Sequence, residues 1–578
     1  MRFIVPFAVM ALCCPRLPAQ TADAASSGDG PLLEGTTTGS AGFRWMVSGD
    51  ANRNSRVSLH YRPKGSEWIE GAPLWEVGKN EHLKPKGAEG ISVPEGDILF
   101  AGSILFLKPG TTYEVKLVLS DPDGGSRESI LPFTTRTEPV EPANQTVLHI
   151  APGNGGGDGS KEKPFLGWRA AQSAAKPGTT FLLHAGTYPG GITIYKSGEE
   201  GKPIVWRAAG DGEVIIDSKG TPEEKGRIIS ADKLRDVWFE GLTLRNGDKG
   251  ITGNHSTAMV VRNCRISGVN YGINGTVDTN QRMTGWYLAD NTIEGPSAWP
   301  RSKGIENARG IQITGSGHEI CHNRIRGFAD AINTFPSEHC ANIDIHHNEI
   351  SECTDDGIEL DESERNVRCF ANRLTNVFQG ISVQPVHGGP IYVIRNAMFN
   401  VVAEPFKMHN SPSGALFIHN TVVKKGMPFF VYSAVPVRSC VTRNNLFVGS
   451  AGGFAFESTA EMVNCDFDHD GFAGGPWEFF LKWNRERYSY ADQLKKQMPV
   501  WKNSIPLPTI HLFVGGTVPP SDEKQVLPPA DLRLKKGAAA LDAGTPLPGL
   551  AGPVTGSAPD LGAYENGGPL PAYGPRKR

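Results

Sequence analysis

Between residues 330 and 409 the chain gathers side chains able to hold a cation and move a proton. Asp330, Asp355, Asp356 and Glu359 come first, and Lys407 and His409 follow. Four carboxylates on one patch would repel one another. A hard cation with six to eight oxygen ligands removes the conflict, and calcium tolerates the irregular geometry such a patch would offer. A lysine facing the patch can act as a base if its pKa is lowered by desolvation or by nearby positive charge. Asp361, Gln379, Gln384, His387 and Arg395 add hydrogen-bonding groups, and Phe335 and Phe430 add flat apolar surfaces. The chemistry depends on an architecture that brings these residues to one surface.

That architecture is written in a repeat. Asparagine recurs at the ends of short apolar runs, at Asn263, Asn291, Asn323, Asn348, Asn372, Asn396, Asn420 and Asn444, with spacings of 28, 32, 25, 24, 24, 24 and 24. Strand-type runs with a near-constant period in the twenties, and no helical pattern between them, imply a β-solenoid of stacked coils. Each asparagine is expected in a turn, hydrogen-bonded to its copies above and below. A second register aligns Ile332, Ile358, Ile381, Phe406 and Phe429 as inward residues. Strand side chains alternate, so Asn333, Glu359, Ser382, Lys407 and Phe430 form an outward column, with Phe335, Asp361, Gln384 and His409 beyond it and Asp330, Asp356, Gln379 and Glu404 before it. Asp330 and Asp356 then lie one coil apart, and Lys407 lies two coils, roughly 10 Å, from Glu359.

Coils of this size are those of pectate-lyase-type right-handed parallel β-helices, and the likeness covers roughly residues 145 to 475. Asp355-Asp356-Gly357-Ile358-Glu359 resembles the Asp-Asp-x-x-Asp calcium motif of family nine pectate lyases, with Asp330 matching an earlier aspartate. Glu404-Pro405-Phe406-Lys407-Met408 resembles that family's Gly-Phe-Lys-Leu segment, which carries the catalytic base. The resemblance implies Ca²⁺ at Asp330, Asp355, Asp356 and Glu359 and proton abstraction by Lys407. From their place beside this column, Arg395, Gln379, Gln384, His409 and Asp361 are expected to contact sugar. Glu359 stands where the family has aspartate and His409 where it has glycine, which leaves the substrate open. The implied reaction is β-elimination from a uronate, in which a cation on the carboxylate stabilises the charge left when the C5 proton departs.

The remaining sequence frames this body. Residues 1–24, with Arg2 and an apolar run from Phe3 to Leu12, read as a cleaved signal peptide, so a secreted or periplasmic protein is expected. Residues 31–138 alternate apolar and polar in short runs, as in a small β-sandwich. Leu107-Lys108-Pro109-Gly110-Thr111-Thr112-Tyr113 is similar to fibronectin type III domains, with Tyr113 as corner tyrosine and Trp45 in the core. Within residues 145–475, Pro164 to Ala175 suggests a helix capping the solenoid. The Gly-rich loop before it lacks the Gly-Lys-Ser/Thr ending of a phosphate cradle. Residues 476–578 form a C-terminal cap and tail, with a helix expected over Gly475 to Met498. Seven cysteines follow the signal segment with no C-x-x-C pair, which argues against a zinc ribbon; most are expected as interior apolar residues, with one or two disulfides allowed.

With a net charge of −3 and scattered lysines, nucleic acid is an unfavourable partner, and no later segment is long and apolar enough to span a membrane. A monomer acting on an acidic polysaccharide is expected. A C5-epimerase would start with the same proton abstraction as a lyase. Two other classes compete: an inverting glycoside hydrolase using the acidic cluster, although Asn-Thr-Asp, Gly-His-Gly and Arg-Ile-Lys motifs are missing, and a non-catalytic glycan-binding surface protein. A solvated face or a structural calcium site is the competing reading of the carboxylates.

Overall fold

The computed structural model describes residues 23–26, 28–78, 93–220, 226–276, 283–304, 306–336, 340–450, 452–489 and 497–577. The expected signal peptide lies almost wholly outside them. The chain is nearly all β: a parallel β-solenoid of about 12 turns preceded by small antiparallel sheets. Three faces make up each coil. A 16-stranded sheet forms the first face, and a 20-stranded sheet folds around a corner to supply the second and third. The strands Glu349–Glu359 and Arg373–Ser382 run through that corner without a break.

The interior is a continuous apolar column. Ile332 pairs with Ile358, Ile358 with Ile381 and Ile381 with Phe406, and all four are fully buried. Burial of each such side chain is worth about 1.5–3 kcal/mol. Phe429 continues the stack, its ring centroid 5.7 Å from that of Phe406. The corner before this column admits only small residues: a Cβ on Gly380 would stand 2.3 Å from the Pro405 carbonyl, and one on Gly357 2.5 Å from Leu374.

The asparagine ladder runs from Asn291 through Asn323, Asn348, Asn372, Asn396 and Asn420, each side-chain amide donating to the next Oδ1 at 2.9–3.1 Å. Two positions differ from the sequence expectation by one residue. Cys264, not Asn263, stands at the rung before Asn291, and Asn445, not Asn444, follows Asn420. Asn263 and Asn444 occupy the preceding turn position, at φ 54° and 57°. Asparagine favours that left-handed conformation. Asn445 passes its amide to Asp470 at 2.8 Å, which ends the ladder.

Both ends of the core are closed by aromatic groups. The helix Trp168–Gln172 is shorter than expected, and its Trp168 packs on Trp206, which stacks on Phe181. At the other end the segment 475–489, the described first part of the stretch expected as a helix, is not helical. It holds the strands Phe479–Trp483 and Glu486–Tyr488, since Phe480, Leu481 and Trp483 turn inward around Trp501 and extend the sheet of Phe429–Val431 and Phe454–Ser458. No disulfide forms among the described cysteines; Cys264, Cys340, Cys353, Cys369 and Cys440 lie in the apolar core.

Before the solenoid, two four-stranded antiparallel sheets enclose Phe43, Trp45, Val57, Leu117 and Phe133. The Tyr113 hydroxyl accepts from the Lys108 amide at 3.0 Å. This unit lies against the first face, where Leu105 joins Phe370, Tyr392 and Ile394. The C-terminal tail packs Leu512, Phe513, Leu532 and Leu534 over Ala397, Val423 and Leu446 of the second face. The outward column of interest belongs to the third.

Candidate functional site

The third face carries the expected column in register: Asn333 pairs with Glu359, Glu359 with Ser382 and Ser382 with Lys407. The Asp330–Asn333 strand and the end of Glu349–Glu359 thereby bring Asp330, Asp356 and Glu359 together, with one ligand oxygen of each within 4.8 Å of the others. Asp330 and Asp356 are 2% and 1% exposed. Asp330 Oδ1 accepts the Asp356 amide at 3.2 Å, and Asn333 Nδ2 donates to Glu359. Asp355, beside this trio, faces Arg301 at 3.4 Å.

Lys407 reaches back across both coils. Its Nζ donates to Asp356 Oδ2 at 2.9 Å, so the side chain fills the gap that backbone spacing alone would leave open. Burial is the largest single influence on this lysine and pulls its pKa down, but Asp356 and Asp355 outweigh it and hold the ammonium above its ordinary value.

The carboxylates respond in the opposite sense. Burial, with like charge from its neighbours, lifts Asp356 well above the carboxylate range. Burial, then Asp330 and Asp361, raises Glu359 to about 10, and burial with Asp356 raises Asp361 to about 7. Asp330 is raised by burial, against the pull of Arg309 at 3.3 Å. Among the trio's oxygens, Asp356 Oδ1 is buried without a hydrogen bond. Carboxylate oxygens held this close, with a buried acceptor unused, fit a hard cation of oxygen preference. Calcium therefore suits Asp330, Asp356 and Glu359, with Asp355 adjacent.

The other expected contact residues separate. Asp361 Oδ1 accepts from Ser382 Oγ and from the Gln384 amide, both at 2.7 Å, which ties it to the patch. Gln384 Oε1 is buried without a partner. Gln379 Oε1 accepts the Glu404 amide at 2.7 Å, a positioning bond. His409 Nε2 stands 2.8 Å from Glu404 Oε2, and Phe335 is 41% exposed. Arg395 lies elsewhere. It occupies the turn between the first and second faces, where its guanidinium donates to the carbonyls of Ala551 and Ala563 and pairs with Glu565 of the tail. That removes it from the third face.

Sequence reasoning missed Arg309 and Arg301. Arg309 pairs in register with Asp330 one coil earlier, below Tyr271 and Lys249. The 32-residue step between Asn291 and Asn323 hid this coil, because an insertion around residues 295–308 interrupts the period. The signal available was Ile311, two residues after Arg309 and 21 before Ile332. The insertion also shapes a cleft of about 500 Å³ lined by Asn270, Ser297, Lys303, Glu306, Asn307 and Ala308, and the Ala308 carbonyl accepts the Asp330 amide at 3.2 Å.

Residues 208–403 match the family model described as periplasmic copper-binding protein (NosD). The chain is 25% identical to Pectate lyase L of Dickeya chrysanthemi over 461 residues, which covers 73% of this chain and 91% of that protein. Pectate lyase L of Dickeya dadantii (strain 3937) is 23% identical with the same coverage. A shorter stretch of 127 residues is 30% identical to the uncharacterized protein YwoF of Bacillus subtilis (strain 168) and spans 27% of its length. Among solved structures, the catalytic domain of a GH87 alpha-1,3-glucanase in complex with tetrasaccharides aligns with 76% of this chain and 80% of its own, at 13% identity and a TM-score of 0.30.

Proposed function

Taking the chain as a right-handed parallel β-helix of the pectin-lyase-like kind, we propose that it is a polysaccharide lyase, exported from the cytoplasm, that cleaves a uronic-acid-containing polymer with Lys407 as the base. The observation that carries this reading is the contact of Lys407 Nζ with Asp356 across two coils. It sets a basic atom against a carboxylate trio on one open face. The near full-length relationship to the two pectate lyases supports the reaction class.

Calcium bound at Asp330, Asp356 and Glu359 would neutralise the substrate carboxylate and so acidify the proton on the adjacent C5. Lys407 takes that proton, the C5–H electrons form the C4–C5 double bond, and the C4–O bond breaks, its oxygen gaining a proton from solvent. To do so the lysine must first be neutral. Asp356 now holds it as an ammonium; once that carboxylate's charge is committed elsewhere, burial is left to lower the pKa toward a useful base. Asp361, Gln384 and His409 line the same face and suit hydroxyl and carboxylate groups of neighbouring sugars, while exposed Phe335 offers a stacking surface.

The carboxylate spacing bears on the hydrolytic alternative. Inverting hydrolases separate acid and base by roughly 6.5–9.5 Å to admit a water, whereas the trio here has oxygens within 4.8 Å. The test is incubation of the full chain with pectate, alginate and other uronate polymers, with calcium or with chelator, following the ultraviolet absorbance of unsaturated uronates and reducing ends together. Calcium-dependent unsaturated product that disappears in Lys407→Ala supports the lyase. Reducing ends without unsaturation would refute it in favour of hydrolysis, and no turnover of any polymer would leave a glycan-binding protein.

A further inference from the structure

A second cluster of ligand-type side chains lies far round the coil, at the corner between the first and second faces. His322, His346 and His347 each place a ring nitrogen within 4.8 Å of the others, and Glu319, Cys321 and His346 form an overlapping set. Two adjacent coils supply them: Glu319–Cys321 pairs in register with Asp344–His346, so Cys321 lies beside His346, and the turn residues His322 and His347 follow. We propose that this cluster is a binding site for a late transition cation of the zinc or copper kind, independent of the carboxylate patch.

The hydrogen bonding leaves lone pairs where a metal would need them. His322 Nδ1 is buried without a partner, while the Ala572 carbonyl accepts from the same ring, which assigns the proton to Nε2 and leaves Nδ1 as a free donor of electrons. His346 Nε2 stands 3.4 Å from Glu319 Oε1, and Glu319 is fixed by the Thr38 amide at 3.0 Å. A carboxylate behind a ligating imidazole is the usual device for orienting the ring and directing its other nitrogen to the metal. That nitrogen, His346 Nδ1, faces His347 Nδ1 at 2.8 Å. The pair shares one proton, which a cation would replace. Phe370 stacks on His346 at 4.8 Å and holds its plane.

Nitrogen donors with a thiol at hand suit zinc or copper rather than calcium. Backbone needs do not account for the histidines. His322 and His347 sit at φ 54° and 56°, but the same turn position holds Ala371, Arg395 and Asn444 in later coils. His419 also occupies it, hydrogen-bonded instead to the Asp560 carbonyl and to Asn444.

The test uses the full chain, stripped with chelator and then saturated with calcium to block the carboxylate patch. Zinc is titrated by calorimetry into the wild type, His322→Asn, His347→Asn, Glu319→Gln and Glu359→Gln, each checked for folding by circular dichroism. Asparagine keeps the left-handed turn available. One zinc equivalent is expected in the wild type and in Glu359→Gln. Affinity should fall about 10- to 100-fold in Glu319→Gln, as for loss of an orienting partner, and further in either histidine variant. X-ray absorption at the zinc edge of the wild type reads the donors without any variant, and a nitrogen-rich shell is expected. No zinc uptake, unchanged affinity in both histidine variants, or an oxygen-only shell overturns the proposal.

Discussion

Replacing Lys407 by methionine separates two properties that the lysine now links. The ammonium and a bound cation compete for Asp356, whose Oδ2 lies 2.9 Å from Nζ. At that distance and an effective dielectric constant near 20, the direct attraction is roughly 6 kcal/mol before desolvation is subtracted. If only a quarter of it opposes the cation, about 1.4 kcal/mol, removing the charge tightens calcium binding about tenfold. Methionine keeps the length and apolar stem of the side chain. The same substitution deletes the base, with an expected loss of about 10²- to 10⁴-fold in turnover. Lys407→Met should therefore bind calcium more tightly by calorimetry while releasing almost no unsaturated product. A variant that binds calcium no better than the wild type would falsify the competition, and one that still turns over would refute the assignment of the base.

Other outcomes can be measured directly. In chelator, the proton-bound carboxylates stabilise the fold below the unfolded-chain range near 4, and that stability is lost as pH rises through the folded values, about 7 for Asp361 and about 10 for Glu359. The melting temperature of chelated protein should thus fall between pH 5 and pH 8, and calcium should restore most of it at pH 8; a flat profile in chelator would contradict the raised values. Asn372→Ala removes an amide bonded to the Ile345 carbonyl and an acceptor for the Asn348 amide, and should cost about 2–4 kcal/mol in denaturant unfolding, with a loss under 1 kcal/mol counting against a cooperative ladder. Arg395→Ala should leave turnover near the wild-type level but lower stability by loosening the tail; a large rise in KM would return it to the substrate surface.

How far the sequence reached differs between the interior and the surface. The inward stack Ile332, Ile358, Ile381 and Phe406 was legible because a coil can be lengthened only in its turns, so strand residues keep their spacing. The outward column followed by alternation. The ladder was legible except where an asparagine holds the turn just before the rung: Asn263, followed by Cys264 at the rung, and Asn444, followed by Asn445. Composition also misled at the C-terminal end, where Trp477 to Tyr488 has helix-compatible residues but pairs as strand, because the exposed edge of the last coil offers ready hydrogen bonds. Arg301 and the cleft beside Asp330 depend on an inserted loop, and Arg395 on a tail that returns from residues 551–565. No period within a single coil encodes such contacts.

The ladder has a direction. Every side-chain amide from Asn291 to Asn445 gives one hydrogen to the next rung toward the C-terminus and the other back to a carbonyl of the preceding coil, and the carboxylate of Asp470 receives the last of the rung bonds. Such a column works as a ruler whose ticks are whole coils. Asp356 follows the tick at Asn348 and Lys407 the tick at Asn396, two divisions on. A coil copied into this interval would extend the ladder without breaking it, yet would carry the amine about another 4.8 Å from its carboxylate. Evolution can lengthen this molecule almost anywhere by copying coils, but between Asn348 and Asn396 the count is fixed by the reach of one lysine.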